Sequence, residues 1–178
     1  MGTAEGESLL PHLRPATDED GWDLIALVGA CWSEYPGCVL DVHGECPDLL
    51  RPATAYDRQG GAFWVATDAC GTVVATVGWR PLDEGTIELE RLYVNPRWRR
   101  RGLASRLTGL VERTAVELGA ASIELWSDTR FTDAHRLYEG LGYSRCRPDR
   151  EVDDLSRTRE HHYRKAVTSP GDDPPDLR

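Results

Sequence analysis

Between Arg91 and Arg106 the chain carries six arginines and no acid, in a sequence whose net charge is −9. Three of them, Arg99, Arg100 and Arg101, run directly into Gly102 and a stretch with apolar residues at helical spacing. The first turn of a helix presents unpaired backbone N–H groups and the positive end of the helix dipole. An arginine-flanked helix start, with Gly102 and Ala104 leaving the backbone approachable, is therefore suited to an anion such as a phosphate group. Just upstream, Glu88 and Glu90 stand two apart in an alternating run, on one face of a strand. A carboxylate held in a partly apolar cleft has its pKa raised and can take up protons near neutrality, although two alternating glutamates are also what a strand's polar face looks like.

Two nucleotide-binding patterns are absent: neither the Gly-x4-Gly-Lys-Ser/Thr loop nor the three-glycine dinucleotide fingerprint occurs. What stands there instead is Arg99-Arg100-Arg101-Gly102-Leu103-Ala104, which fits R/Q-x-x-G-x-G/A. This resembles the pyrophosphate-binding motif of the GNAT superfamily of acyl-CoA-dependent N-acyltransferases. The preceding Leu92-Tyr93-Val94-Asn95-Pro96 resembles the strand that leads into that motif, and Ala134 to Tyr143 resembles the family's A-x-x-L-Y-x-x-x-G-F/Y segment.

Acetyl transfer from a thioester to an amine makes four demands: a neutral amine, a donor for the oxyanion, a proton for the departing thiolate and a firm hold on the cosubstrate. The resemblance assigns each one. Backbone N–H groups of Arg101, Gly102, Leu103, Ala104 and Ser105 would cradle the acetyl-CoA pyrophosphate, with Arg99 and Arg100 supplying charge. Leu92, Tyr93 and Val94 would pair with the pantetheine arm, and a backbone N–H there would meet the thioester oxygen. Glu88 would take the amine proton, directly or through water, with Glu90 as second candidate. Tyr138 would protonate the thiolate, since a phenol keeps its proton at neutral pH. The chain departs from the family at Phe131, where many members carry an asparagine that contacts the cosubstrate; Asp133 and Thr132 are the substitutes at hand. His135 reads as a surface residue or a cosubstrate-edge contact, and His161 and His162 as structure.

The elements that must position these groups follow from pattern and punctuation. His12 to Ala16 reads as a strand, and Thr17 opens a helix that runs to about Trp32. Ser33 to Gly61 is irregular, with a short helix around Asp48 to Tyr56. Its acids Glu34, Asp41, Glu45 and Asp48 are either a lining for a cationic acceptor or solvated loop charge. Ala62–Thr67, Thr72–Trp79 and Thr86–Val94 form an antiparallel meander. The helix after the arginines, from Leu103 to Leu118, leads to a strand over Ser122–Ser127, and such a crossover pairs in parallel. A helix over Asp133–Leu141 and strands over Tyr143–Arg147 and His161–Ala166, bracketing a charged loop at Pro148–Arg159, complete the order. That is the order the resemblance implies: an α/β (α+β) GNAT fold, with a mixed, mostly antiparallel sheet of six to seven strands and about four helices. The domain is expected over residues 12–166, with disordered tails over 1–11 and 167–178.

At 178 residues, 40% apolar and 29% charged, the chain has the size and composition of one soluble domain. It has no apolar run near ~20 residues and no basic leader at its start, so membrane partners are not expected and the cytoplasm is the default location. Five cysteines without a C-x-x-C pair fit a reducing compartment. Cys38, His43 and Cys46 lack an evident fourth ligand, and no metal is expected. The acidic balance argues against nucleic acid as the partner. The expected partners are acetyl-CoA and a small-molecule or protein amine. The same motifs also allow a non-catalytic acyl-CoA-binding or sensing module. Acceptor identity and oligomeric state, a homodimer included, stay open at this level.

Overall fold

The computed structural model describes residues 10–168. In chain order the elements are β1 (His12–Pro15), α1 (Gly21–Trp32), α2 (Pro52–Asp57), β2 (Ala62–Thr67), β3 (Val73–Asp83) and β4 (Thr86–Val94). There follow α3 (Leu103–Glu117), β5 (Ser122–Asp128), α4 (Thr132–Gly140), β6 (Ser144–Glu151) and β7 (Arg159–Ala166). The seven strands make one sheet in the order β1-β2-β3-β4-β5-β7-β6, in which only β4 and β5 run parallel. This is the expected GNAT architecture, with four α-helices. The tails expected over 1–11 and 167–178 lie almost entirely outside the described residues.

Two apolar clusters sandwich the sheet. Leu24, Leu27, Val28 and Cys31 of α1 and Tyr56 of α2 pack against Phe63, Val65 and Val73. Leu103, Leu107, Val111 and Ala115, four apart along α3, pack against Ile87, Leu89, Ile123 and Leu125, joined by Tyr138, Tyr143 and Tyr163. Alternation along β4 thus sends Ile87 and Leu89 into the α3 layer and leaves Glu88 and Glu90 facing the other way.

The last hairpin departs from expectation. Instead of a charged loop over Pro148–Arg159, β6 continues to Glu151 and β7 begins at Arg159, leaving only residues 152–158 as the connection. The strands persist because charges pair across them: Arg150 faces Glu160 at 2.6 Å and Glu151 faces Arg159 in register. No apolar alternation is needed on an exposed edge strand, so the usual strand signal is missing. Likewise β3 runs on from Trp79 to Asp83, and the turn tightens to Asp83–Thr86. That extension sets Arg80 directly opposite Glu88.

Candidate active site

The site begins with an irregularity in β4. Gly78 pairs with Glu90 and Thr76 with Tyr93, so Arg91 and Leu92 together stand opposite Val77. Arg91 absorbs this bulge at φ 53, and its guanidinium is clamped by both oxygens of Asp48 at 2.8 and 2.9 Å. Pairing with β5 covers only Thr86–Glu88 against Ser122–Glu124. Beyond Glu88 the two strands part, so Leu92, Tyr93 and Val94 border a cleft instead of a neighbouring strand.

On one side of the cleft lies a cavity of about 480 Å³, bounded by Leu92, Tyr93, Val94, Arg99, Arg100, Gly102, Leu103, Ala104, Ser105 and Tyr138. Gly102 precedes α3 at φ 75, a left-handed conformation that a side chain makes costly, and a Cβ there would meet nothing within 4 Å. The first turn of α3 has no side-chain cap and no acid. Its free N–H groups and open approach fit a pyrophosphate, as the sequence expects of this segment. The arginines divide their labour. Arg99 is committed to Glu34 at 2.7 and 2.8 Å and donates from Nε to the Val94 carbonyl at 3.1 Å, which ties the loop to the strand. Arg101 stacks on Trp98 at 4.7 Å and does not line the cavity. Arg100, at φ 58, lines it with no ion pair among the described residues.

On the other side, a cavity of about 380 Å³ is bounded by Glu88, Glu90, Trp126, Asp128, Arg150, Glu160 and the loops around Glu45 and Asp153–Asp154. The two cavities share Trp32, Leu92, Tyr93, Phe131, Ala134 and Tyr138, so they meet where the strands part. Glu88 is 4% exposed; burial and the neighbouring Glu90 charge push its pKa up to about 7, against the opposing pull of Arg80 and Arg150. Arg80 donates to Glu88 at 2.5 Å and to Glu90 at 3.0 Å, and the Tyr56 hydroxyl donates to Glu90 at 3.0 Å. Tyr138 is buried, which pushes its pKa above the ordinary phenol value, and its hydroxyl has no hydrogen-bond partner among the described residues.

Of the loop acids, Glu45 lines this cavity, whereas Glu34 pairs with Arg99, Asp48 with Arg91, and Asp41 accepts the Gly44 N–H at 2.9 Å. Phe131 borders both cavities and packs on Tyr35 with ring centres 4.7 Å apart. His135 is no surface residue: it is buried, its Nε2 lies 3.0 Å from the Asp128 carbonyl, and burial lowers its pKa. His162 bonds Glu124 at 2.9 Å and stacks on Trp126. Sequence reasoning missed Arg80 and Tyr56. Arg80 had a signal, since closing the β3–β4 hairpin at Asp83–Thr86 sets it beside Glu88; Tyr56 had none. Among the described residues no group of three or more His, Cys, Asp or Glu is placed to hold a metal ion, all five cysteines are free, and no helix is long and apolar enough to cross a membrane.

The sequence profile of the Acetyltransferase (GNAT) family matches residues 25–143. Human N-acetyltransferase 8 is 30% identical over 120 residues, covering 64% of this chain and 50% of that protein. Human N-acetylaspartate synthetase is 38% identical over 114 residues, covering 61% and 37%. The chain therefore spans half the length or less of these two relatives. The uncharacterized N-acetyltransferase YjgM of Escherichia coli K12 is 32% identical over 138 residues, covering 75% of this chain and 81% of YjgM. Among solved structures, a GNAT-family acetyltransferase from Staphylococcus aureus Mu50 superposes with a TM-score of 0.76 over 88% of this chain and 99% of its own. At 20% identity that likeness speaks to the fold alone.

Proposed function

Since the chain belongs to the acetyltransferase (GNAT) family, we propose that it moves the acetyl group of acetyl-CoA to a primary amine by direct attack within a ternary complex. One observation carries this reading: the cavity at the α3 N-terminus and the cavity holding Glu88 meet at Leu92, Tyr93 and Tyr138. A thioester held along β4 from the first cavity and an amine arriving through the second would face each other there, a proximity that supplies much of the rate. Glu88, directly or through a water, takes a proton from the ammonium so that the amine nitrogen can attack the carbonyl carbon. Backbone N–H groups near Val94 stabilise the oxyanion. As the C–S bond breaks, Tyr138 gives its proton to the departing thiolate.

The acceptor side favours a cationic amine. Seven carboxylates line that cavity against two guanidinium groups; Glu88 and Glu90 share Arg80, Asp128 pairs with Arg130 and Glu160 with Arg150, which leaves Glu45, Asp153 and Asp154 without an ion pair among the described residues. A positively charged acceptor is drawn into such a field, and an anionic one is opposed. Relatives named N-acetylaspartate synthetase make aspartate the pointed comparison. The test is CoA release from acetyl-CoA across diamines, basic amino acids and peptides, neutral monoamines and aspartate. It is followed by chromatography, because the protein's five cysteines would react with a thiol dye. Acceptor-dependent release, largest for dicationic amines, is the expected result; binding of acetyl-CoA without release to any amine would move the reading to a sensing module.

A further inference from the structure

Glu88 does not stand alone in its layer. Arg80 on β3 reaches across to it from the register position directly opposite, with Nη2 2.5 Å from Glu88 Oε2, while its Nε bonds Glu90 Oε1 at 3.0 Å. The other oxygen of Glu90 accepts from the Tyr56 hydroxyl at 3.0 Å. Tyr56 gets there only because residue 78 is glycine, for a Cβ at Gly78 would sit 2.6 Å from Tyr56 Cε1. The two carboxylates are thus unequal. Glu90 has two donors and a side chain 27% exposed, whereas Glu88 has one donor and a side chain 6% exposed.

We propose that Arg80 is a positioning residue for acetyl transfer: anchored by the Glu90–Tyr56 pair, it aims one Nη at Glu88 and fixes both the rotamer and the charge of that carboxylate. This inference rests on the reading of Glu88 as the proton acceptor. One guanidinium shared by a buried and a half-buried carboxylate leaves the group with one negative charge in excess when both are ionised, and the less solvated member, Glu88, is the one that exchanges its proton. The charged and titratable groups around Glu88 are Arg80 from β3, Glu90 from β4, Arg150 from β6 and, at the register position on β5, Glu124, itself held by His162 and Arg164 of β7. Of these, Arg80 is the cation that bonds Glu88.

The arrangement makes predictions of opposite sign. Removing the cation with Arg80→Gln withdraws support from the ionised form, so the acid limb of the kcat/KM profile should move up by about one pH unit. Removing the neighbouring negative charge with Glu90→Gln should move the limb down. Arg80→Lys restores the charge without the fork, so the limb should return toward the wild-type position while kcat stays depressed. A residue that merely holds the hairpin together would lower activity without moving the limb in either direction. The same titration is read without turnover from the Glu88 side-chain carboxyl 13C signal of the free protein, assigned by its loss in Glu88→Gln. If that signal shifts in opposite directions in Arg80→Gln and Glu90→Gln but the rate profile does not, Arg80 controls Glu88 and it is the role of Glu88 as base that fails. If the carboxyl signal is unmoved in Arg80→Gln, the inference is overturned.

Discussion

Glu88 carries a stability cost in the folded protein. Its folded pKa of about 7, in place of the ordinary 4.5, means that the folded state holds a proton over an interval in which the unfolded chain has already released it. The folded state then binds more protons than the unfolded one, so this group's contribution to stability falls as pH rises from 4.5 to 7 and stays low above that. Glu88→Gln removes the penalty, and should raise stability at pH 8 by on the order of 1–3 kcal/mol, with little gain at pH 4.5. The same variant should lower kcat/KM by roughly 10²–10⁴-fold and abolish the rising limb near pH 7. Thermal denaturation at the two pH values and a rate profile check both halves; an unaltered limb would remove Glu88 as the base. Tyr138 predicts a different pattern. Because its hydroxyl bonds nothing among the described residues, Tyr138→Phe should leave the melting temperature and the acetyl-CoA affinity unchanged while turnover falls about 10²-fold. Calorimetry beside steady-state rates decides this, and unimpaired turnover would exclude Tyr138 as the acid.

At the scale of elements, the sequence was legible wherever apolar periodicity met clear punctuation. The strands Ala62–Thr67 and Thr86–Val94 and the helix beginning at Leu103 sit where alternation and four-residue spacing put them. The ends of β6 and β7 were not legible, because ion pairs such as Arg150–Glu160 replace apolar alternation there. Nor was the bulge at Arg91: nothing local marks it, and the Asp48 clamp that holds it comes from 43 residues away. The helix start at Gly102 was legible as a motif, and the structure adds the conformational reason for its glycine. Gly102→Ala places a side chain at φ 75, which should cost about 1–2 kcal/mol of stability, although its Cβ meets no protein atom within 4 Å. If the pyrophosphate approaches through that open space, acetyl-CoA affinity should also fall about tenfold, the equivalent of about 1.4 kcal/mol. A lowered melting temperature with unchanged calorimetric affinity would confine Gly102 to a backbone role.

At the scale of the molecule, the two cavities draw on different parts of the chain. The one at the start of α3 is built from α1, β4, α3 and α4, with Arg99 and Arg100 on its wall. The acidic one is completed only when the loop after α1 meets the loop between β6 and β7. The meeting is specific: the Ser156 hydroxyl accepts the Val39 N–H at 2.8 Å and donates to the Val39 carbonyl at 3.2 Å, and the Leu155 N–H bonds Glu45 at 2.7 Å. Ser156 is 8% exposed, an unusual burial for a loop serine, and this clasp joins residues 117 positions apart. Ser156→Ala leaves both backbone groups of Val39 without that partner, at a cost of about 1–2 kcal/mol. Because Ser156 borders the acidic cavity and not the other, the variant should raise KM for the amine several-fold while the acetyl-CoA dissociation constant holds. Steady-state kinetics with each substrate varied in turn, beside calorimetric acetyl-CoA binding, separates the two. An equal loss on both sides would mean that the clasp supports the whole sheet, and an unchanged amine KM that the two loops form no part of the acceptor's path.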